Sequence, residues 1–277
     1  MIILDGKATA DRLNLKLKER IYEGGYEIRF SLIMVASNPA SEIYVNNKIK
    51  ACELVGINVK LLRASENIPE KELIDMIERE NLDSKVSAIL VQLPLPKHIN
   101  ERKVLNSINP SKDVDGLSLL NQGKLFYNEV GIRPATPLAV ITLLQEYGIK
   151  LEGKRVVIVG RSNLVGKPLA MMFLEADASV TITHSKSTNL KDICKEADIL
   201  VVAIGNPKFI KPDYIKKDSC VIDVGINRVE GKLVGDVDFD SVSPLVKYIT
   251  PVPKGIGPMT VHCLLMNIYE SYLKFSK

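Results

Sequence analysis

The sequence is poor in the residues that mark metalloproteins, disulfide scaffolds and membrane spans. Its three histidines, His98, His184 and His262, are far apart and suggest neither a triad nor a metal site, so no metal is expected. No two of its four cysteines, Cys52, Cys194, Cys220 and Cys263, lie within four residues of one another, which removes the usual structural-zinc spacings. No apolar stretch approaches the ~18 residues of a membrane span, and Met-Ile-Ile-Leu-Asp5 turns polar at once, unlike a secretory signal. The expected setting is the reducing cytoplasm, with free thiols and no membrane partner. Lys plus Arg number 37 against 33 Asp plus Glu, a net charge of +4. With no run of five or six like charges and no aromatic platform, nucleic acid is not an expected partner.

What is present is ordinary globular material: 277 residues, 46% hydrophobic and 25% charged, with 17 Gly and 14 Pro. The length suits one large domain or two medium ones, and the patterning favours two. Phe30–Val35, Val59–Arg63 and Ala88–Gln92 read as strands, with helical spacing over Glu42–Val55 and Glu70–Glu80. Leu13–Leu17 alternates like a strand, but Ala10, Leu13, Leu17 and Ile21 keep helical spacing over a longer window and predict a helix. Residues 109–137 are rich in turn formers and read as a long irregular stretch, the mark of a functional segment or a boundary. Helix is expected again over Leu138–Tyr147, ending at Gly148. A second array follows, with strands at Arg155–Val159, Ser179–Thr183, Ile199–Ala203 and Cys220–Val224, a helix at Pro168–Glu175 and a last helix at Met259–Phe275. Such alternation predicts an α/β fold with mostly parallel sheets covered by helices on both faces. No repeat occurs at solenoid periods.

Gly160-Arg-Ser-Asn-Leu-Val-Gly166 follows an apolar strand and precedes a helix, where a dinucleotide-binding loop belongs. Its match to G-x-G-x-x-G is imperfect, because Ser162 replaces the second glycine and the last falls one residue late; an ordinary strand–helix turn reads the same way. The end of the next strand, His184-Ser-Lys-Ser-Thr188, lacks the acid that holds ribose hydroxyls in NAD sites. Ser185, Lys186 and Arg161 suit a 2′-phosphate instead, which favours NADP over NAD.

In the first half, Tyr44 and Lys48 stand four apart on an expected helix and share a face. A phenol and an ammonium so placed can orient or protonate a substrate, although an isolated Y-x-x-x-K is more often an amphipathic surface. Short-chain dehydrogenases carry the same spacing, but after their glycine-rich loop and in the same domain; here it precedes Gly160 by more than a hundred residues. Gln92 closes a strand before Leu93-Pro-Leu-Pro96, a place for an amide to bond a ligand or Lys48, or simply a strand-terminating turn. Asp113 and Asp115 lack the further acids of an EF-hand and are either turn caps or binding carboxylates. Gly255 and Gly257 allow close backbone approach before the last helix, where His262 reads as packing.

Taken in order, Tyr44-Val-x-x-Lys48, Gln92-Leu-Pro-Leu-Pro96, Lys112-Asp-Val-Asp-Gly116, Pro134-Ala-Thr-Pro137, Gly160-Arg-Ser162, Asp223-Val-Gly-Ile-Asn227 and Gly257-Pro-Met-Thr260 resemble the bifunctional methylenetetrahydrofolate dehydrogenase/cyclohydrolase family over essentially the whole chain. The resemblance implies two α/β domains with a cleft between them: a folate-binding catalytic domain at 1–137, with the helix 260–277 packing back on it, and a Rossmann-like NADP-binding domain at 138–259. It implies a cytoplasmic homodimer that oxidises methylenetetrahydrofolate with NADP and then hydrolyses the methenyl product to 10-formyltetrahydrofolate. By the same resemblance Lys48 is the central catalytic residue, Tyr44 stacks on the folate ring, Gln92 positions Lys48, and Asp115 binds the pterin edge, where a carboxylate can accept two N–H bonds. Gly160, Arg161, Ser162, Ser185 and Ile226 contact NADP. A dehydrogenase-only relative and a non-catalytic NADP-binding sensor on the same fold are the alternatives; the sensor predicts loss of Lys48, Gln92 or Asp115, and all three are present. Two positions depart from the family pattern: Ala139 and Lys254 stand where glycine is usual, in segments the resemblance places near the cleft, where they bear on closure and on the ratio of the two activities.

Overall fold

The structure, a computed structural model, describes residues 1–36 and 39–275. It divides into two compact units, one of Met1–Asp11 with Thr136–Thr260, the other of Arg12–Ala135 with Val261–Lys277. The chain opens with a two-residue strand β1 (Ile2–Ile3) and helix α1 (Gly6–Glu23). The helical spacing over Leu13–Leu17 prevails, with one change of face. Ala10, Asn14, Leu17 and Ile21 are buried, so Asn14 replaces Leu13 in the inward stripe. Asn14 tolerates that place because its Oδ1 lies 2.7 Å from Nδ1 of His262, itself buried, which makes His262 a bonded core residue.

The unit containing residues 12–135 is built on a three-stranded parallel sheet, in the order β3 (Asn58–Ala64), β2 (Arg29–Val35), β4 (Ala88–Val91). Central β2 is buried from Phe30 to Val35 and reads as one apolar run because both its faces are covered. Phe30, Leu32 and Met34 enter one core cluster with Val45 and Cys52 of α2 (Pro39–Val55); Ile33 and Val35 enter another with Leu73 and Ile77 of α3 (Glu70–Leu82). This alternation is the period-two geometry of a strand. Edge strand β3 exposes its polar positions, as an unpaired edge requires.

Two short helices, α4 (Glu101–Ser107) and α5 (Leu119–Phe126), complete this part. Helix α5 corrects the reading of 109–137 as irregular throughout. Only Asn121 and Leu125 of α5 are buried while Leu119, Leu120 and Phe126 face outward, so no apolar stripe announces it. The Ser118 hydroxyl caps it by accepting from the Asn121 N–H. Helix α6 (Ala135–Glu146) starts three residues before its expected position, because Pro137 fits a first helical turn. Ala139 is fully buried in α6, and alanine favours a helix interior over glycine by about 1 kcal/mol.

The second unit alternates β5 (Arg155–Val159), α7 (Gly166–Glu175), β6 (Ser179–Thr183), α8 (Leu190–Lys195), β7 (Ile199–Val202) and β8 (Cys220–Asp223). After a hairpin of β9 (Asn227–Val229) and β10 (Lys232–Val234) come α9 (Phe239–Val242), β11 (Tyr248–Ile249) and α10 (Ile256–Phe275). The six strands of its main sheet run in the order β1-β11-β8-β7-β5-β6, all pairs parallel, as the sequence pattern predicts for an α/β fold. Its core gathers Val157, Val159, Leu200, Val202 and Val221. The hairpin turns at Glu230 and Gly231, both at positive φ, the conformation that matches strand twist but here lacks the Asn-Gly or Asp-Gly that signals it. Residues 261–275 of α10 belong to the other unit, where Leu264, Leu265 and Ile268 join the cluster around Phe30. Among the described residues no helix is long and apolar enough to cross a membrane, and all four cysteines are buried and unbridged.

Candidate active site

Helix α2 carries Tyr44 and Lys48 one turn apart. Tyr44 is 46% exposed, leaving its ring open to a ligand, while Lys48 is half-buried. The Lys48 Nζ donates to Gln92 Oε1 at 3.0 Å, and the Gln92 Nε2 donates to the Leu93 carbonyl at 2.7 Å. Gln92 follows directly on β4, so the carboxyl end of a parallel strand supplies an amide whose orientation its own backbone fixes. Burial lowers the Lys48 pKa below that of a free lysine; the nearby Asp115 charge opposes that fall without reversing it. Asp115 is shifted the other way: burial raises its pKa, the Lys48 charge lowers it and Asp113 adds to the rise. The two groups therefore sense one another inside a low-dielectric site. Cys52, one turn beyond Lys48, is a core thiol that burial pushes up to about 12, so it stays protonated and takes no part as a nucleophile.

The segment Lys112–Gly116 divides its labour residue by residue. Lys112 Nζ donates to the carbonyls of Glu80, Asn81 and Asp83, satisfying the last turn of α3. Asp113 is buried, and its Oδ2 accepts from the Ser118 N–H at 2.8 Å and from Asn121 Nδ2 at 3.0 Å. Of the two carboxylates left open by the sequence, Asp113 is the turn cap and Asp115 the one that faces Lys48. Gly116 has φ +67°, and a Cβ there would lie 2.9 Å from the Arg133 carbonyl carbon, so the turn that presents Asp115 needs glycine. Sequence reading missed Asn267: its Nδ2 donates to the carbonyls of Val114 at 2.9 Å and Arg133 at 2.8 Å, pinning both strands of this loop to α10.

The expected cofactor residues lie at the carboxyl ends of the second unit's strands. Gly160 has φ +129°, and a Cβ on it would come 2.4 Å from the Ala203 carbonyl oxygen. A Cβ on Gly166 would fall 2.1 Å from the Gly160 oxygen, so the late glycine still provides the close helix–strand packing of a dinucleotide loop. Ser162 is exposed, and its Oγ accepts from Val165 and Gly166 N–H groups at 3.1 and 3.4 Å, holding the start of α7. The Gly160 N–H donates to Thr183 at the end of β6, which sets the glycine turn beside the segment carrying Ser185. Arg161, Ser185 and Lys186 are all exposed there, with no acid in the segment 184–188. Ile226 is set apart from them, after β8, where a Cβ on Gly257 would meet its side chain at 3.6 Å. A glycine cradle at a strand–helix turn and exposed cations without a carboxylate fit a phosphorylated dinucleotide. Among the described residues no group of three or more His, Cys, Asp or Glu is placed to hold a metal ion.

Comparisons with known proteins point to one family. The model of the tetrahydrofolate dehydrogenase/cyclohydrolase catalytic domain matches residues 4–115, and that of the family's NAD(P)-binding domain matches residues 134–276. A Campylobacter concisus protein described as bifunctional protein FolD is 51% identical over 282 residues, covering 100% of both chains. The crystal structure of a Campylobacter jejuni bifunctional FolD methylenetetrahydrofolate dehydrogenase/cyclohydrolase superposes with a TM-score of 0.96 at 46% identity, covering 98% of each chain. A Trypanosoma brucei methylenetetrahydrofolate dehydrogenase-cyclohydrolase, solved with NADP cofactor and inhibitor, has a TM-score of 0.94 at 35% identity, covering 99% of this chain and 97% of its own.

Proposed function

The chain belongs to the tetrahydrofolate dehydrogenase/cyclohydrolase family, and on that premise we propose that it carries out both reactions. It oxidises 5,10-methylenetetrahydrofolate with NADP to the methenyl form and hydrolyses that product to 10-formyltetrahydrofolate. The carrying observation is the bond from Lys48 to Gln92 beside Asp115 in the unit of residues 12–135 and 261–277.

The residues support distinct tasks. Tyr44 offers a flat exposed ring on which a pterin stacks. Asp115 accepts N–H bonds from the pterin edge. Bound NADP supplies the acceptor for the hydride leaving the methylene carbon. That oxidation leaves a cation stabilised by the two flanking nitrogens, and alignment rather than a base carries it. Hydrolysis is different, because water adding to the methenyl carbon must lose a proton. Lys48 Nζ, with its pKa lowered by burial, takes and returns that proton while Gln92 holds it in line. Gly160, Arg161, Ser162, Ser185 and Ile226 hold the cofactor in the other unit, with Arg161 and Ser185 toward the 2′-phosphate.

We assign the homodimer and the cytoplasm on the same reading, the first from the family resemblance and the second from four unbridged, buried cysteines. The test of the function is an assay of purified protein with methylenetetrahydrofolate, run separately with NADP and NAD, following reduced cofactor and methenyl product at different wavelengths. Faster reduction with NADP and only transient methenyl product is the expected result. Persistent methenyl product identifies a dehydrogenase alone, and no reduction with either cofactor leaves a sensor.

A further inference from the structure

The second unit contains a buried polar assembly that the reaction does not use directly. Asp236 is fully buried, yet its carboxylate receives four hydrogen bonds. The backbone N–H groups of Ile204 and Gly205 donate to Oδ2 at 2.7 and 3.0 Å, and that of Asn206 to Oδ1 at 2.8 Å. Asn227 Nδ2 donates to Oδ1 at 2.9 Å. An ionised carboxylate is acceptor-only with about four lone-pair sites, so the assembly is filled and has no place for a donor. Asp236 is itself located by a second buried carboxylate: Asp223 accepts from the N–H groups of Gly225, Asp236 and Val237 at 3.0, 3.0 and 2.8 Å. The packing leaves no slack, since a Cβ on Gly225 would meet Asp236 Cγ at 2.2 Å and one on Gly235 would meet Asp223 Oδ2 at 1.9 Å.

Three successive amides aimed at one carboxylate are not what a chain leaving a strand needs for closure; an ordinary turn satisfies fewer groups at less desolvation. Their place explains the investment. Ile204–Asn206 follow β7 at the carboxyl end of the sheet, next to the glycine turn: Ala203 oxygen and the Ile204 side chain are the atoms against which Gly160 packs. Asn227 directly follows Ile226, one of the residues assigned to the cofactor.

We propose that Asp236 is a positioning residue of the cofactor site, fixing the Ile204–Asn206 loop as the wall behind Gly160 and, through Asn227, the segment that presents Ile226. The role rests on the NADP reading of the Gly160 loop. It acts through backbone, so its loss changes cofactor affinity and local order while leaving the folate-binding unit unchanged.

The test measures NADPH affinity by cofactor fluorescence, tetrahydrofolate affinity by calorimetry, and hydrogen exchange at single amides without any ligand. Asp236→Asn places an NH2 among four donors, and Asn227→Ala removes one donor and keeps the carboxylate. Asp236→Asn is expected to weaken NADPH roughly tenfold or more and Asn227→Ala by a few-fold. In both, the amides of 204–206 exchange faster, and tetrahydrofolate binding is unchanged. The reciprocal pair Asn227→Asp with Asp236→Asn restores a donor–acceptor match at that edge and recovers part of the affinity, which a general loss of stability would not allow. If Asp236→Asn does not fold, Asn227→Ala decides alone. Faster exchange at 204–206 with undiminished NADPH affinity overturns the role. Failure of the unaltered protein to bind NADPH overturns the cofactor reading and this role together, whereas binding by the unaltered protein and equally by both variants overturns this role alone.

Discussion

Lys48 and Gln92 meet at 3.0 Å although 44 residues separate them, and the amide that receives the lysine is locked by its own neighbour's carbonyl. The ammonium is thus aimed by the end of a strand rather than by a mobile side chain. Lys48→Ala removes the group that moves the proton in methenyl hydrolysis and is expected to lower cyclohydrolase activity by about 10²–10⁴-fold. Dehydrogenase activity, which depends on alignment, should fall less. The two rates measured on one preparation decide it, and equal losses in both would make Lys48 a binding residue only.

Burial lowers the pKa of that lysine, and Asp115 moderates the fall. Its negative charge raises the Lys48 pKa against the lowering by burial. Asp115→Asn removes the opposing charge, so the Lys48 pKa falls further and more of the lysine is neutral at a given pH. The rising limb of the pH profile for methenyl hydrolysis therefore moves to lower pH. The maximal rate drops roughly 10–100-fold with the lost charge-assisted bond to the pterin. A limb that stays in place, or moves to higher pH, means that Lys48 is not the titrating base.

Gly160 tests the cofactor loop without touching the folate site. Its φ of +129° is outside what an L side chain adopts comfortably, and the added Cβ of Gly160→Ala meets the Ala203 oxygen at 2.4 Å. The turn must open, and NADPH affinity is expected to fall roughly 10–100-fold with the strain so introduced. Tetrahydrofolate affinity, measured on the same variant, should remain as it was. Unchanged NADPH affinity would remove Gly160 from the site.

The elements and residues of the two units differ in how plainly the sequence carries them. Arg155–Val159 is observed as expected, because a buried parallel strand writes itself as an apolar run between turn formers, and Ser179–Thr183, an edge strand exposed over most of its length, is legible from its alternating β-branched residues. Gly160 is only half legible: a glycine between a buried strand and a helix marks a tight turn, which an ordinary strand–helix connection shares with a dinucleotide loop, and the close approach of the Ala203 oxygen appears only in the fold. By residue type and spacing Asp113 and Asp115 are not separable, and only the resemblance singles out Asp115; the donors Ser118 and Asn121 show that Asp113 is the one consumed by the turn. Asn14, Asn267 and Asp236 were invisible for a related reason. Each is a buried polar residue whose partners lie far along the chain, and periodicity carries no information about partners. Strands β1 and β11 span two residues each, too short to show any period.

Lys254 stands where the family resemblance expects glycine, and the backbone there still has the glycine conformation, with φ +82°. The conformation is held from both sides: the Lys254 oxygen accepts from the Lys7 N–H at 3.0 Å, and a Cβ on the next residue, Gly255, would meet the Pro251 oxygen at 2.4 Å. A lysine in the left-handed region is strained by about 1–2 kcal/mol. Lys254→Gly relieves that strain but gives the unfolded chain more freedom, which offsets about 0.4–1 kcal/mol. A net gain of about 0.5 kcal/mol remains, or a melting temperature higher by roughly 1–2 °C at this chain length. Lys254→Ala keeps the strained φ without the long side chain and should melt with the unaltered protein. If the glycine and alanine variants shift together, the lysine side chain rather than the backbone is responsible, and the glycine at this place in relatives serves something other than the turn.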